Sequence, residues 1–291
     1  MNYALFFMVV SVLFIGACQS APADTTQVTL PSTSTLLVDD HIGCQEGEID
    51  QDGNCIPAPQ ANVAMFSEGG LYDIVSFSVE SPLGYVARPV QEGNYPGVVM
   101  IHEWWGLNDN IKMMADTLAS YGYIVFAVDL YGGVVAEDSS VARVQATAVR
   151  NNPDGAVDHM RMAVRYLNEQ GAERIASLGW CFGGQQSLQL SLSEDIDATI
   201  IYYGNLVEDP EQLRSISGPV LGIFGAEDTG IPVSSVRNFE SSLNALDVAN
   251  QIHVYEGVGH AFANPSGSNY APDATRDAWE KTIAFLAESL Q

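Results

Sequence analysis

The chain is poor in cations. Eleven lysines and arginines stand against 36 aspartates and glutamates in 291 residues, a formal net charge of −25, and the lysines are Lys112 and Lys281 alone. Such a surface repels phosphate backbones and anionic lipid headgroups, which argues against nucleic acid as a partner and against electrostatic adhesion to membranes. Charged residues are few altogether, 16% against 47% hydrophobic. That ratio supplies a large core and does not suit a disordered chain.

Long hydrophobic runs are missing too. The run "YALFFMVVSVLFIGA" has 15 residues, short of the roughly 20 that span a bilayer as a helix and suited to the apolar segment of an export signal. The preceding "MNY" lacks the Lys or Arg that such a signal usually carries. Gly16 and Ala17 before Cys18 resemble the lipobox of bacterial lipoproteins. That likeness implies cleavage before Cys18, acylation of its thiol and amino group, and an exported, membrane-anchored lipoprotein. A plain secretory signal or a short anchor is the alternative.

Cysteine is scarce, and the four fall into classes once export is accepted. Cys18 is the lipid site. Cys44 and Cys55 flank the polar stretch "QEGEIDQDGN" and are expected to pair in an oxidising compartment. Cys181 is left over, either a reactive group or an inert buried thiol. The stretch "EIDQDGN" is similar to an acidic calcium loop, but Pro59 falls where the bidentate Glu belongs if Glu48 is the first ligand. No metal and no cofactor are expected.

These features divide the chain into a signal peptide over 1–17, a tether over 18–62 rich in Ser, Thr, Pro, Gln and Asp, and one catalytic domain over 63–291. "YDIVSFSVE" alternates as a half-buried strand does, and "YVARPV" could pair with it through "SPLG". Then come near-continuous apolar runs, "GVVMIHE", "YIVFAVDL", "RIASLGW", "ATIIYYG", "PVLGIFG" and "QIHVYEG". Runs of this kind are strands covered on both faces. Segments of helical period separate them, among them "NIKMMADTLASYG", "GAVDHMRMAVRYLNEQG", "SSVRNFESSLNAL" and "ATRDAWEKTIAFLAESL". The alternation predicts an α/β fold with a doubly wound, mostly parallel sheet, which binds ligands beyond the carboxyl ends of its strands.

Polar residues at those ends are therefore the candidates: His102 and Glu103, Asp129, Cys181, Asp228 and His260. Cys181, Asp228 and His260 follow the chain order nucleophile, acid, histidine expected of an α/β-hydrolase. Gly179-Trp180-Cys181-Phe182-Gly183-Gly184 is a cysteine version of the G-x-S-x-G elbow, in which glycines let strand and helix approach closely around a strained apex. Cys181 would then stand at a helix N-terminus, which favours a thiolate. The Phe182 N–H would face the developing oxyanion. A structural glycine-rich turn reads from the same letters. His253 and His159 fall in a strand and a helix, and His41 in the tether; His260 sits in a glycine-bearing loop suited to an exposed imidazole. Asp228 has a rival role as a turn-former before "TGIP".

Together "VVMIHEWWG", "AVDLYGG", "GWCFGG", "GAEDTGIP" and "YEGVGHAFANP" resemble the dienelactone hydrolase, or carboxymethylenebutenolidase, family over residues from about 72 to 291. The resemblance implies an esterase acting on a small-molecule ester or lactone through a thioester. It makes Cys181 the nucleophile, His260 the general base and acid, Asp228 its orienter and Glu103 a carboxylate that contacts the thiol. It makes Trp104 N–H the second oxyanion donor. Trp105 and Phe262, with Trp104, could line an acyl pocket or simply pack under a loop. One departure is Asn264, where the model enzyme of the family has an arginine for the substrate carboxylate; Arg143 and Arg150 lie upstream without a secure equivalence. A lipid-anchored binding module on the same fold and a redox-sensing thiol are the alternatives.

Overall fold

The computed structural model describes residues 84–291. The signal at 1–17, Cys18, the tether at 18–62, the Cys44–Cys55 pair and the strand expected at "YDIVSFSVE" lie outside the described residues.

The apolar runs form strands where expected. They are β1 (Gly84–Ala87), β2 (Gly97–Ile101), β3 (Ile124–Val128), β4 (Ile175–Trp180), β5 (Ala198–Tyr202), β6 (Val220–Gly225) and β7 (Asn250–Tyr255). The helices are α1 (Asp109–Ser120), α2 (Ser139–Arg150), α3 (Pro153–Glu169), α4 (Phe182–Ser191), α5 (Pro210–Leu213), α6 (Val233–Ala245) and α7 (Pro272–Leu290). Side-chain caps set several helix starts: Asn108 accepts from Ile111 N–H, Asp138 from Ser140 and Val141, and Asn152 from Gly155 with Pro153 in the first turn.

The seven strands lie in the order β1-β3-β2-β4-β5-β6-β7, all parallel except that β1 pairs antiparallel with β3. The periods of strand and helix explain the two-faced core. Val98, Met100, Val125 and Ala127 point to the face covered by α1 and α7, while Val99, Ile101, Phe126 and Val128 point to the face covered by α3. The stripe Val157, Met160, Ala163 and Leu167 on α3 is buried against the latter. Deleting Leu167 to alanine there would cost about 2–5 kcal/mol.

From β2 the chain crosses to β3 on one side and then returns to place β4 on the other side of β2. This reversal opens a crevice beyond the carboxyl ends of β2 and β4. Ile101 is paired with Gly179 in register, so His102 and Glu103 leave the sheet beside the Cys181 turn.

Candidate active site

Cys181 sits between β4 and α4 with φ 54° and ψ −115°, a backbone state costly for any residue with a Cβ. Neighbouring contacts fix it there. Its N–H donates to Tyr202 O at 2.9 Å and its carbonyl accepts from Gln185 N–H at 3.2 Å. The flanking glycines are required by close approach: a Cβ on Gly179 would stand 2.1 Å from Gly183 O, and one on Gly183 2.2 Å from Ile101 O. The turn is therefore an elbow that wedges α4 against the end of β2. Cys181 is partly exposed and free.

The imidazole arrives from the loop after β7. His260 Nε2 lies 3.1 Å from Cys181 Sγ, and its Nδ1–H donates to Asp228 Oδ2 at 2.7 Å. The Asn269 amide donates to His260 O at 3.0 Å, and the Tyr203 ring packs edge-on against the imidazole. Asp228 is buried, and its other oxygen, Oδ1, accepts from Gly230 N–H at 2.9 Å and Ile231 N–H at 3.1 Å. The turn contacts and the imidazole contact thus fall on different oxygens of one residue. Burial opposes ionisation of Asp228, but the His260 contact and the two N–H groups outweigh it and hold the carboxyl below its usual range. Burial likewise disfavours charge on His260, yet Asp228 and the sulfur push its pKa upward.

Glu103 is found beside this group but not where the resemblance placed its contact. Its carboxyl accepts from the Asn264 amide, the sulfur meets His260, and among the described residues no hydrogen bond joins Glu103 to Cys181. Asn264, itself buried, offers the carboxyl an amide N–H, a stronger donor than a thiol S–H. Burial raises the Glu103 pKa to about 7, opposed by the charge of His260 and the Asn264 bond.

Neither Trp104 N–H nor Phe182 N–H is given to an acceptor among the described residues. The Trp104 ring packs against the buried cluster of Tyr131, Ala146 and Phe182, as Cys181 also does, and Trp105 meets it at 5.0 Å. Both tryptophans are half-buried. Phe262 is not on a pocket wall: it is fully buried between Tyr203 and Tyr255. Facing the sheet rather than the crevice, it packs instead of contacting substrate. A cavity of about 650 Å³ opens beside His260 and Asp228, with Thr229, Gly259, Asn269 and Tyr270 on its wall.

Sequence reasoning left three neighbours without a role. His102 is fully buried under Tyr131 and Phe182. Asp129 accepts from the N–H groups of Tyr131 and Gly133 and so shapes the loop after β3. Tyr203 is buried against His260 with φ 34°. His102 and Asp129 were marked by their strand-end positions; nothing in the letters marked Tyr203.

The sequence pattern of the dienelactone hydrolase family matches residues 83–290. The Aquifex pyrophilus "Protein usf" is 32% identical over 71% of this chain and 93% of its own length. A Saccharolobus solfataricus protein named "Putative carboxymethylenebutenolidase" is 30% identical over 65% of this chain and 88% of its own. Among solved structures, "m3DLH" superposes with a TM-score of 0.66 at 27% identity, covering 72% of this chain and 92% of that one. A dienelactone hydrolase-like promiscuous phosphotriesterase from metagenomic libraries gives the same TM-score and coverage at 23% identity, a likeness of fold. With its parallel sheet, its elbow and the family pattern running from β1 into α7, the chain belongs to the dienelactone hydrolase family and is a carboxylic ester hydrolase of α/β-hydrolase fold.

Proposed function

We propose that the protein cleaves small carboxylic esters or lactones through Cys181, His260 and Asp228, with a thioester intermediate. The observation that carries this reading is the contact chain from sulfur to imidazole to carboxylate, 3.1 Å and then 2.7 Å. The substrate carbonyl oxygen enters between the N–H groups of Phe182 and Trp104. His260 Nε2 takes the thiol proton as sulfur bonds to the carbonyl carbon, and the carbonyl electron pair moves onto oxygen, where the two N–H groups hold it. The pair returns, the carbon–oxygen bond to the leaving group breaks, and the imidazolium delivers its proton to that oxygen. In a lactone the freed hydroxyl stays on the acyl chain. Water, deprotonated by His260, then attacks the thioester, and the sulfur leaves with the proton returned.

The relatives' names support a lactone among the substrates. Arg150 supports an acyl group that carries a carboxylate, since its guanidinium lies 5.6 Å over the Phe182 ring next to the nucleophile and is tethered to Gln185 at 3.2 Å. Asn264 is engaged with Glu103 and is not assigned to that task.

The test is rapid-mixing hydrolysis of p-nitrophenyl acetate and a lactone panel, with mass spectrometry of the trapped enzyme. A burst with the acetyl group on Cys181, absent from Cys181→Ala, is expected. An acyl group elsewhere, or hydrolysis surviving in Cys181→Ala, overturns the proposal. Iodoacetamide labelling of Cys181 without hydrolysis would favour a redox thiol, and neither signal a binding module. Export and lipid anchoring at Cys18 form part of the same proposal. Membrane fractionation of the wild type and Cys18→Ser tests them, with release of the variant expected.

A further inference from the structure

Resting on the oxyanion hole just proposed, the geometry points to His102 as the residue that aims it, a positioning residue that fixes the Glu103–Trp104 peptide plane so that Trp104 N–H faces the substrate oxygen.

Both ring nitrogens are committed. His102 Nδ1 lies 2.5 Å from Glu103 O, and Nε2 lies 3.2 Å from Leu130 N. A carbonyl only accepts and a backbone N–H only donates, so the partners force the neutral tautomer with hydrogen on Nδ1. Burial enforces the same state by lowering the pKa to about 4. The carbonyl held by Nδ1–H and the N–H of Trp104 belong to one planar trans peptide, in which they point in opposite directions. Gly106 N–H donates to the same carbonyl at 3.2 Å. With the oxygen turned away by two donors, the Trp104 N–H is turned toward the crevice. It is also polarised, because a hydrogen bond to an amide oxygen strengthens that amide's N–H as a donor. The imidazole stacks on the Phe182 ring at 5.8 Å with the planes 19° apart, so one side chain touches both the peptide that carries the Trp104 N–H, through Glu103 O, and the Phe182 ring beside the second donor. Through Leu130 it ties this assembly to the loop after β3.

Asparagine and glutamine divide the two contacts. In His102→Asn the new amide nitrogen reaches the place of Nδ1, whereas in His102→Gln the new amide oxygen reaches the place of Nε2. We expect His102→Asn to retain kcat within about threefold of wild type with a lowered Tm, because Leu130 N–H loses its acceptor. We expect His102→Gln to keep Tm and lose about 10- to 100-fold in kcat at nearly constant KM, the signature of an oxyanion donor out of place. His102→Phe should lose both. A folded His102→Gln with wild-type kcat overturns the proposal by itself, and so does kcat that follows Tm through the series. Wild-type hydrolysis that persists in Cys181→Ala would instead remove the reading of function on which the proposal rests.

Discussion

Both ends of the sheet carry a cavity, and the two could hardly differ more in what surrounds the space. At the amino ends of β4 to β7 a hollow of about 500 Å³ is lined by Arg174, Asp195, Asp197, Asn250 and Glu288. Two of its charges pair: Arg174 meets Asp197 loosely at 3.5 Å, and Asp197 Oδ2 accepts from Ile175 N–H at 2.7 Å. At the carboxyl ends lie buried Glu103, His102 and Asp228, a free thiol on a strained backbone, and three of the four non-glycine residues with positive φ among the described residues, Cys181, Tyr203 and Ala261. The cavity there is of similar size, about 650 Å³. Volume does not mark a reactive site. On the function proposed above, convergence of desolvated polar groups on the strained Cys181 turn does.

Substitutions at the two ends should separate by orders of magnitude. Cys181→Ala should reduce kcat/KM for an activated ester by about 10⁴-fold or more, as loss of a nucleophile does elsewhere; a smaller loss erases the contrast. Asp228→Asn should follow at roughly 10³- to 10⁴-fold through the wrong imidazole tautomer. Its turn should survive, since an amide oxygen can still accept from Gly230 and Ile231; circular dichroism and Tm would check that.

A third prediction concerns neighbouring residues with opposite proton linkage. His102 has its pKa lowered by burial to about 4, so its contribution is fully present above pH 6.5 and is lost as pH falls through 4. Glu103 is raised by burial to about 7, so its contribution is fully present below pH 4.5 and is lost as pH rises through 7. The two contributions act in opposite directions and so offset each other in the wild type. Urea unfolding from pH 4 to 6.5, below the range in which His260 adds a pH dependence, should therefore show stability rising with pH in Glu103→Gln and falling with pH in His102→Asn. Parallel curves would defeat this account.

Smaller effects sharpen the picture. Arg150→Ala should raise KM about tenfold for lactones bearing a carboxylate and leave neutral esters alone, which steady-state kinetics on matched substrates would detect. At the opposite end, Arg174→Ala removes a solvent-exposed pair and should change stability by under about 1 kcal/mol, with kcat/KM untouched.

Much of this was written in the letters. Covered strands read as unbroken apolar runs because both faces meet helices, and the elbow announced itself because only glycine permits Gly183 to lie against Ile101 O. Asp228 and His260 could be named from their places after β6 and β7. The side of a residue could not. Phe262 looked like a pocket residue beside His260, yet the backbone turn at Ala261, φ 59°, sends it into the core.

The sequence by itself determined the sheet, the elbow and the set of strand-end residues, since these follow from local periodicity and from steric demands within a few positions. Only the tertiary structure decided which partners those residues take: Asn264 rather than the thiol for Glu103, and the Glu103 carbonyl for His102. Hydrogen bonds across separate loops depend on ångström distances between segments brought together by packing, and no spacing along the chain encodes them.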